Sequence, residues 1–155
     1  MRSVVITAVS AFVLFLAVAP IASASTDDAC SVVTQAQVSG ALGVPMSPGA
    51  YVTPTFKRTC TWKPTSAGKI KAVTLFLQPA DAFEKAKAIA VSPSAKLDTV
   101  GGLGEGAYYV TMGDQVGLMV KKGGVAFKVA VYATTTVDEK KALEKALAAE
   151  VASKL

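Results

Sequence analysis

The chain of 155 residues contains no histidine and no asparagine, and it has two cysteines, Cys30 and Cys60, and a single tryptophan, Trp62. Each shortage removes a chemistry. Without histidine there is no Ser-His-Asp or Cys-His catalytic set, no imidazole general base and no imidazole metal ligand. Without asparagine there is no acceptor for N-linked glycosylation, and two cysteines alone do not complete a structural zinc site. Arginine is scarce as well, Arg58 being the only one after Arg2. Apolar runs of helical length are confined to the N-terminus, and none elsewhere approaches the roughly 20 residues that a bilayer-spanning helix needs. The reading therefore expects neither a metal nor a cofactor, and no transmembrane segment in the body of the chain.

The N-terminus has the grammar of a cleavable export signal. Arg2 supplies the positive start, residues 4–18 form the apolar stretch, and Pro20 precedes the small-residue site Ala22-Ser23-Ala24. Residues 1–24 are thus expected to be a signal peptide, and residues 25–155 a single domain, secreted or periplasmic, at the cell envelope. A domain of about 131 residues buries roughly two-thirds of the surface its unfolded chain exposes. Loss of Arg2 lowers the net charge from +5 to +4. In an exported chain that mild surplus points to anionic envelope polymers or lipid head groups rather than to nucleic acid. An even cysteine pair in such a chain is the pattern of one disulfide. Lipid attachment at Cys30 is not expected, because Thr26-Asp27-Asp28-Ala29 precede it where a lipobox needs apolar and small residues.

Along the domain, Thr34-Gln35-Ala36-Gln37 is a capping box that opens a short helix, and Gly43 and Pro45 close it. Residues 46–54 read as a loop rich in Pro, Gly, Ser and Thr. Residues 56–63 and 69–78 alternate as strands of a hairpin, with Arg58, Cys60 and Trp62 on one face of the first and Val73, Leu75 and Leu77 on one face of the second. A helix follows from Asp81 to about Ala90, with Phe83, Ala86 and Ile89 or Ala90 toward the core. Three further strands, 107–112, 115–121 and 125–134, are joined by the tight turns Gly113-Asp114 and Lys122-Gly123-Gly124. Thr136-Val137-Asp138-Glu139 caps a last helix on which Leu143, Leu147, Val151 and Leu155 recur, with lysines and glutamates opposite. The order is that of an α+β fold, a twisted antiparallel sheet of about five or six strands with helices packed on it.

The run from Ala29-Cys30-Ser31 to Ala41-Leu42-Gly43, the later Cys60-Thr61-Trp62, the segment Val100-Gly101-Gly102-Leu103-Gly104-Glu105-Gly106 and the alanine-rich last helix resemble small exported bacterial proteins of a domain-of-unknown-function family, best known among actinobacterial lipoproteins. The resemblance spans nearly the whole domain. It implies a disulfide between Cys30 and Cys60 and an envelope location, and it brings no activity with it. The chain departs from the lipoprotein members in lacking a lipobox.

Several motifs invite functional readings. Gly102-Leu103-Gly104-Glu105-Gly106 is glycine-rich, but a strand follows it and not the helix N-terminus a phosphate loop needs, so it reads as a structural turn. Ser66-Ala67-Gly68-Lys69 has a serine-x-x-lysine spacing, yet it falls in a hairpin loop where that pair needs a helix. Most of the carboxylates read as helix-start or surface charges, and Glu105 is the least explained of them. A binding surface is the positive reading: Lys57, Arg58, Lys63, Lys69 and Lys71 crowd one hairpin beside Trp62, and the adjacent Tyr108 and Tyr109 face opposite sides of a strand, one of them outward. Trp62, two residues from Cys60, also reads as packed over a disulfide. The sequence thus favours a non-catalytic exported protein that binds another protein or an anionic envelope polymer through these residues. The alternative is a carrier of a small hydrophobic ligand, and the third reading is a histidine-free hydrolase using serine with lysine or two carboxylates.

Overall fold

A computed structural model describes residues 27–90 and 92–155. The stretch read as an export signal, residues 1–24, lies outside the described residues. The elements in order are α1 (Ala29–Val32), α2 (Gln35–Leu42), β1 (Ala50–Thr53), β2 (Phe56–Trp62), β3 (Ile70–Pro79), α3 (Ala82–Ile89), β4 (Ala95–Thr99), β5 (Gly106–Met112), β6 (Gln115–Lys122), β7 (Val125–Ala133) and α4 (Val137–Ala152). The strands form one seven-stranded sheet in the order β1-β2-β3-β7-β6-β5-β4, and every neighbouring pair is antiparallel.

The α+β class expected from the sequence is present, but the sheet has seven strands where five or six were expected. The two additions, β1 and β4, are its edges. β1 falls in the segment read as a loop, and β4 in the connection after α3. An edge strand is paired on one side only and buries little, so neither segment carries the apolar alternation that announces a central strand. No residue of β1 or β4 is fully buried.

The turns follow their glycines. Gly113 takes φ 59° at the first position of the β5–β6 turn, and Gly123 and Gly124 take φ 60° and 80° between β6 and β7. Both are two-residue hairpin connections whose backbone twist suits antiparallel strands. Both capping boxes form: Thr34 Oγ1 accepts from Gln37 N at 3.3 Å, and Thr136 Oγ1 accepts from Glu139 N at 3.2 Å. The glycine-rich segment is a structural turn, with Gly102 and Gly104 at positive φ. Glu105 has a task there: its N–H donates to Lys121 O at 2.8 Å and its Oε1 accepts the N–H of Gly123 at 3.0 Å, binding one turn to the next.

One face of the sheet holds the main core. Trp62, Val73, Leu75, Leu77, Leu118, Val120, Phe127, Val129 and Val131 pack there beneath the residues of α1, α2 and α4. We refer to it as the helical face. The residues of α4 that turn inward are Lys140, Glu144, Leu147, Ala148, Val151 and Ala152. The core stripe is therefore rotated from the leucine repeat read in the sequence, and Leu143 is only partly buried because it faces α2 and the end of the sheet. The other face is covered at one end only, where Phe83 of α3 packs on Tyr108, Met119 and Ala126. Of Ile89 and Ala90, the alternatives expected toward the core, Ala90 is half-buried and Ile89 is 82% exposed.

Cys30 and Cys60 form a disulfide, with Cα atoms 5.0 Å apart, that ties α1 to β2. Beside it, a side chain at Gly49 would come within 2.6 Å of Cys60 Sγ and 2.8 Å of Trp62 Nε1, so only glycine lets the chain pass over this pair. Replacing both cysteines, Cys30→Ala with Cys60→Ala, is expected to lower stability by roughly 3–4 kcal/mol in the chain-entropy description of a crosslink. Urea unfolding of the two proteins measures the difference, and an unchanged midpoint would show that the loop is held by packing alone.

Candidate functional site

A groove of about 470 Å³ opens at the end of the sheet where β3 begins and β7 ends. Four chain segments meet there. Leu42, Val44 and Pro45 come from the end of α2 and the turn after it, and residues 64 and 66–70 come from the β2–β3 connection and the start of β3. Ala133 and Thr135 follow β7, and Glu139, Ala142 and Leu143 come from the first turns of α4. Leu42 and Ile70 are buried at its base. Ser66, Lys69, Thr135 and Glu139 are the polar residues of the lining.

The backbone holds this groove open. Gly43 takes φ 68°, which turns the chain sharply at the end of α2 so that Val44 and Pro45 face the β2–β3 connection. Thr65 N then donates to Pro45 O at 3.0 Å, and Ser47 N donates to Lys63 O at 2.7 Å. On the far side Thr134 N donates to Lys69 O at 2.9 Å, while Lys71 Nζ reaches Gly68 O at 2.8 Å. Residues 66–68, between these anchors, are exposed and form the outer wall.

The polar groups of the lining divide by task. The Glu139 carboxylate accepts from Thr136 N and Thr136 Oγ1, each at 3.2 Å, and these bonds, with the Lys69 ammonium, hold its pKa below the ordinary carboxylate range. It stays ionised as the cap of α4. Ser66 and Lys69 both line the groove but share no hydrogen bond among the described residues, since the loop does not give them the one-turn spacing of a helix. Among the described residues no group of three or more acidic or cysteine side chains is placed to hold a metal ion, and no helix is long and apolar enough to cross a membrane.

The residues singled out in the sequence are dispersed. Lys57 and Lys63 are exposed on β2 and just after it, and Arg58 pairs with Asp27 at 2.6 Å. Lys69 is in the groove lining, and Lys71 is tied to the loop carbonyl. Trp62 is buried beside the disulfide. Tyr108 and Tyr109 are both buried, against the expectation that one would lie outside, because α3 covers one face of β5 and α4 the other. The Tyr108 hydroxyl donates to Phe83 O at 2.9 Å and the Tyr109 hydroxyl to Lys141 O at 2.6 Å. Burial pushes both phenols up to about 12, helped at Tyr108 by Glu84 and at Tyr109 by Glu144. Three of the eight candidates therefore have almost no surface to offer a partner. The groove was not visible in the sequence, since its lining is gathered from four separate segments, each unremarkable alone.

Beneath α4 lies a buried polar pair that the sequence pattern assigned to a solvated helix face. Lys140 Nζ donates to Asp114 O at 2.7 Å. Glu144 is wholly buried, its Oε1 accepting the N–H of Val131 at 3.0 Å and its Oε2 having no hydrogen-bond partner. The N–H of Val131 needs this acceptor because the β6–β7 pairing stops at Val129, opposite Leu118. Burial raises the Glu144 pKa to about 7, against the opposing pull of the Val131 N–H and of Lys128, Lys140 and Lys141.

A carboxyl that keeps its proton to about pH 7 when folded, but releases it near pH 4 when unfolded, gives the folded state the larger proton count between those values. Stability is therefore expected to fall as pH rises across that window, by roughly 3 kcal/mol from this group. Asp98, held low by Lys141 and then Lys96, has the opposite sign and acts only at more acid pH. Urea midpoints from pH 4 to 8 should show the loss in the native protein and a flattened profile in Glu144→Gln; equal slopes would exclude Glu144 as its source.

Comparison with protein-family models, with curated proteins and with solved structures finds no match to this chain.

Proposed function

We propose that this protein is a non-catalytic binding protein of the cell envelope, secreted or periplasmic, that carries a small apolar ligand in the groove between α2 and α4. The observation that supports this reading is the lining. A space of about 470 Å³ lies within the range of small-molecule sites, and its interior is built from Leu42, Val44, Ile70, Ala142 and Leu143 with a few polar groups among them. Such a space favours a ligand whose apolar body displaces water from these side chains, and whose polar end meets the Lys69 ammonium or the Ser66 hydroxyl. The competing idea, a protein or polymer bound through aromatic and basic hairpin residues, has less support with Trp62, Tyr108 and Tyr109 inside the fold. Two features support this choice of compartment: the disulfide, a bond that persists where thiols are not kept reduced, and the signal-like N-terminus of the sequence.

Native mass spectrometry of protein purified from its own cell envelope, repeated under denaturing conditions, should reveal a small mass that is lost on unfolding. Ala142 is exposed on α4 at the groove, so Ala142→Trp fills the space without disturbing the core. It is expected to reduce retention of the ligand, and affinity for a fluorescent fatty-acid probe, by at least about tenfold. A bare protein that also ignores the probe, or a variant that binds as well as the original, would rule the groove out.

A further inference from the structure

The sheet face opposite α4 is largely uncovered, and its chemistry is of one kind. Seven strands at ordinary spacing make a sheet about 29 Å wide, whereas the eight residues of α3 span about 12 Å. What remains open carries a continuous cross-strand row, Thr59–Phe76–Lys128–Met119, before α3 is reached. Lys128 lies in the middle of that row, and its aliphatic stem rests in the notch left by Gly117, where a Cβ would meet Lys128 Cε at 2.5 Å.

The large apolar side chains most exposed on the strands lie on or beside this face. Tyr132 is 46% exposed and Met112 55%, both projecting from it by strand alternation. Val52 is 66% exposed and points away from the helical face, to which its neighbour Tyr51 sends a hydroxyl bonded to Asp28 at 2.8 Å. Phe56, 46% exposed, sets its ring 6.0 Å from that of Phe76. Alternation places Lys63 and Lys128 on the same side, Lys57 is exposed next to Phe56 at the β1–β2 tip, and none of the three has an ion-pair partner among the described residues. The open face of β2, β3 and β7 bears no carboxylate. On this side of the sheet α3 carries Glu84, and Asp81 just before that helix is paired with Lys85 at 2.6 Å; beyond β7, Glu105 is paired with Lys121 at 3.9 Å.

We propose that this face docks on an anionic lipid surface, with the β1–β2 tip at Val52 and Phe56 entering the head-group region and Lys57, Lys63 and Lys128 meeting the phosphates. Charge decides against a second copy, since pairing two such faces would set lysines against lysines. The type of cation decides between a bilayer and an acidic protein. These are lysines on flexible stems, spread around apolar and aromatic side chains on a flat sheet, with no arginine fork and no concave pocket for an anchor residue. That arrangement suits a diffuse negative surface with an apolar layer beneath it. The inference is independent of the groove, which lies at the end of the sheet.

The test uses protein expressed from the full sequence and purified oxidised, sedimented with vesicles of phosphatidylcholine alone or with about one-third phosphatidylglycerol. Binding is expected only to the anionic vesicles and should weaken with salt. Changing Lys57, Lys63 and Lys128 together to Gln should cut partitioning about a hundredfold, at roughly fivefold for each lysine. Changing Lys145 and Lys154, exposed on α4 and just beyond it, should leave partitioning almost unaltered. In a separate variant, Phe56→Trp, fluorescence should shift to the blue when anionic vesicles are added, against a constant signal from buried Trp62. Failure to bind anionic vesicles, equal loss in both lysine sets, or capture by polyglutamate without vesicle binding would each overturn the proposal, the last assigning the face to an acidic protein.

Discussion

The pairing of β3 with β7 is the constraint on which the rest of the structure depends. It runs from Ile70 opposite Ala133 to Pro79 opposite Val125 and, among the described residues, is the only ladder joining the N-terminal strands β1–β3 to the C-terminal strands β4–β7. Each half alone is a meander of local hairpins with an unpaired edge, and such small sheets have little independent stability. The seam converts two edges into one interior and brings together residues 46 to 63 positions apart, so its closure entropy must be offset by burial. Val73, Leu75, Leu77, Phe127, Val129 and Val131 supply that burial on the helical face.

The other devices reinforce this seam. The disulfide fixes α1 against β2, so the outer strand cannot peel from β3 without moving the N-terminal helices. α4 lies across β6 and β7. Its Glu144 satisfies the Val131 N–H at the place where β6 parts from β7. An apolar residue at that position would pack as well but leave a buried backbone donor without an acceptor. A buried carboxyl therefore stands where a helix repeat would otherwise place leucine or alanine.

That substitution also explains where the sequence was legible and where it was not. Elements whose signals are local came through: the two capping boxes, the glycine turns, the alternation of β2, β3 and β5 to β7, and the cysteine pair. The edges β1 and β4 were lost because a strand paired on one side carries no alternation to read. The inward placement of Lys140 and Glu144 was lost because each is needed by a polar group on a distant strand or turn, Asp114 O and Val131 N, which periodicity does not report. Tyr108 and Tyr109 show the same limit. Alternation put them on opposite faces correctly, but exposure depended on α3 and α4 covering both. The groove needed the meeting of four segments; of the open-face lysines, Lys57 and Lys63 were visible as part of a basic hairpin, whereas Lys128 comes from β7 and reaches that face only through the β3–β7 pairing.

Both candidate surfaces are set by one irregularity in β3. Between Ile70 and Ala72 the register with β7 shifts, since Ile70 lies opposite Ala133 while Ala72 lies opposite Tyr132, leaving Lys71 as the extra residue. In an unbroken strand Ile70 would share a face with Ala72, Thr74 and Phe76, and Lys71 would share one with Val73 and Leu75. The bulge reverses this for the first turn of the strand. It turns Ile70 inward to form the base of the groove and puts Lys71 outside, where its ammonium steadies the loop at Gly68. Without it, an ammonium group would enter the apolar groove and an isoleucine would be added to the exposed sheet face. A single inserted residue thus keeps the apolar end groove and the lysine-bearing face chemically distinct, although both belong to the same pair of strands.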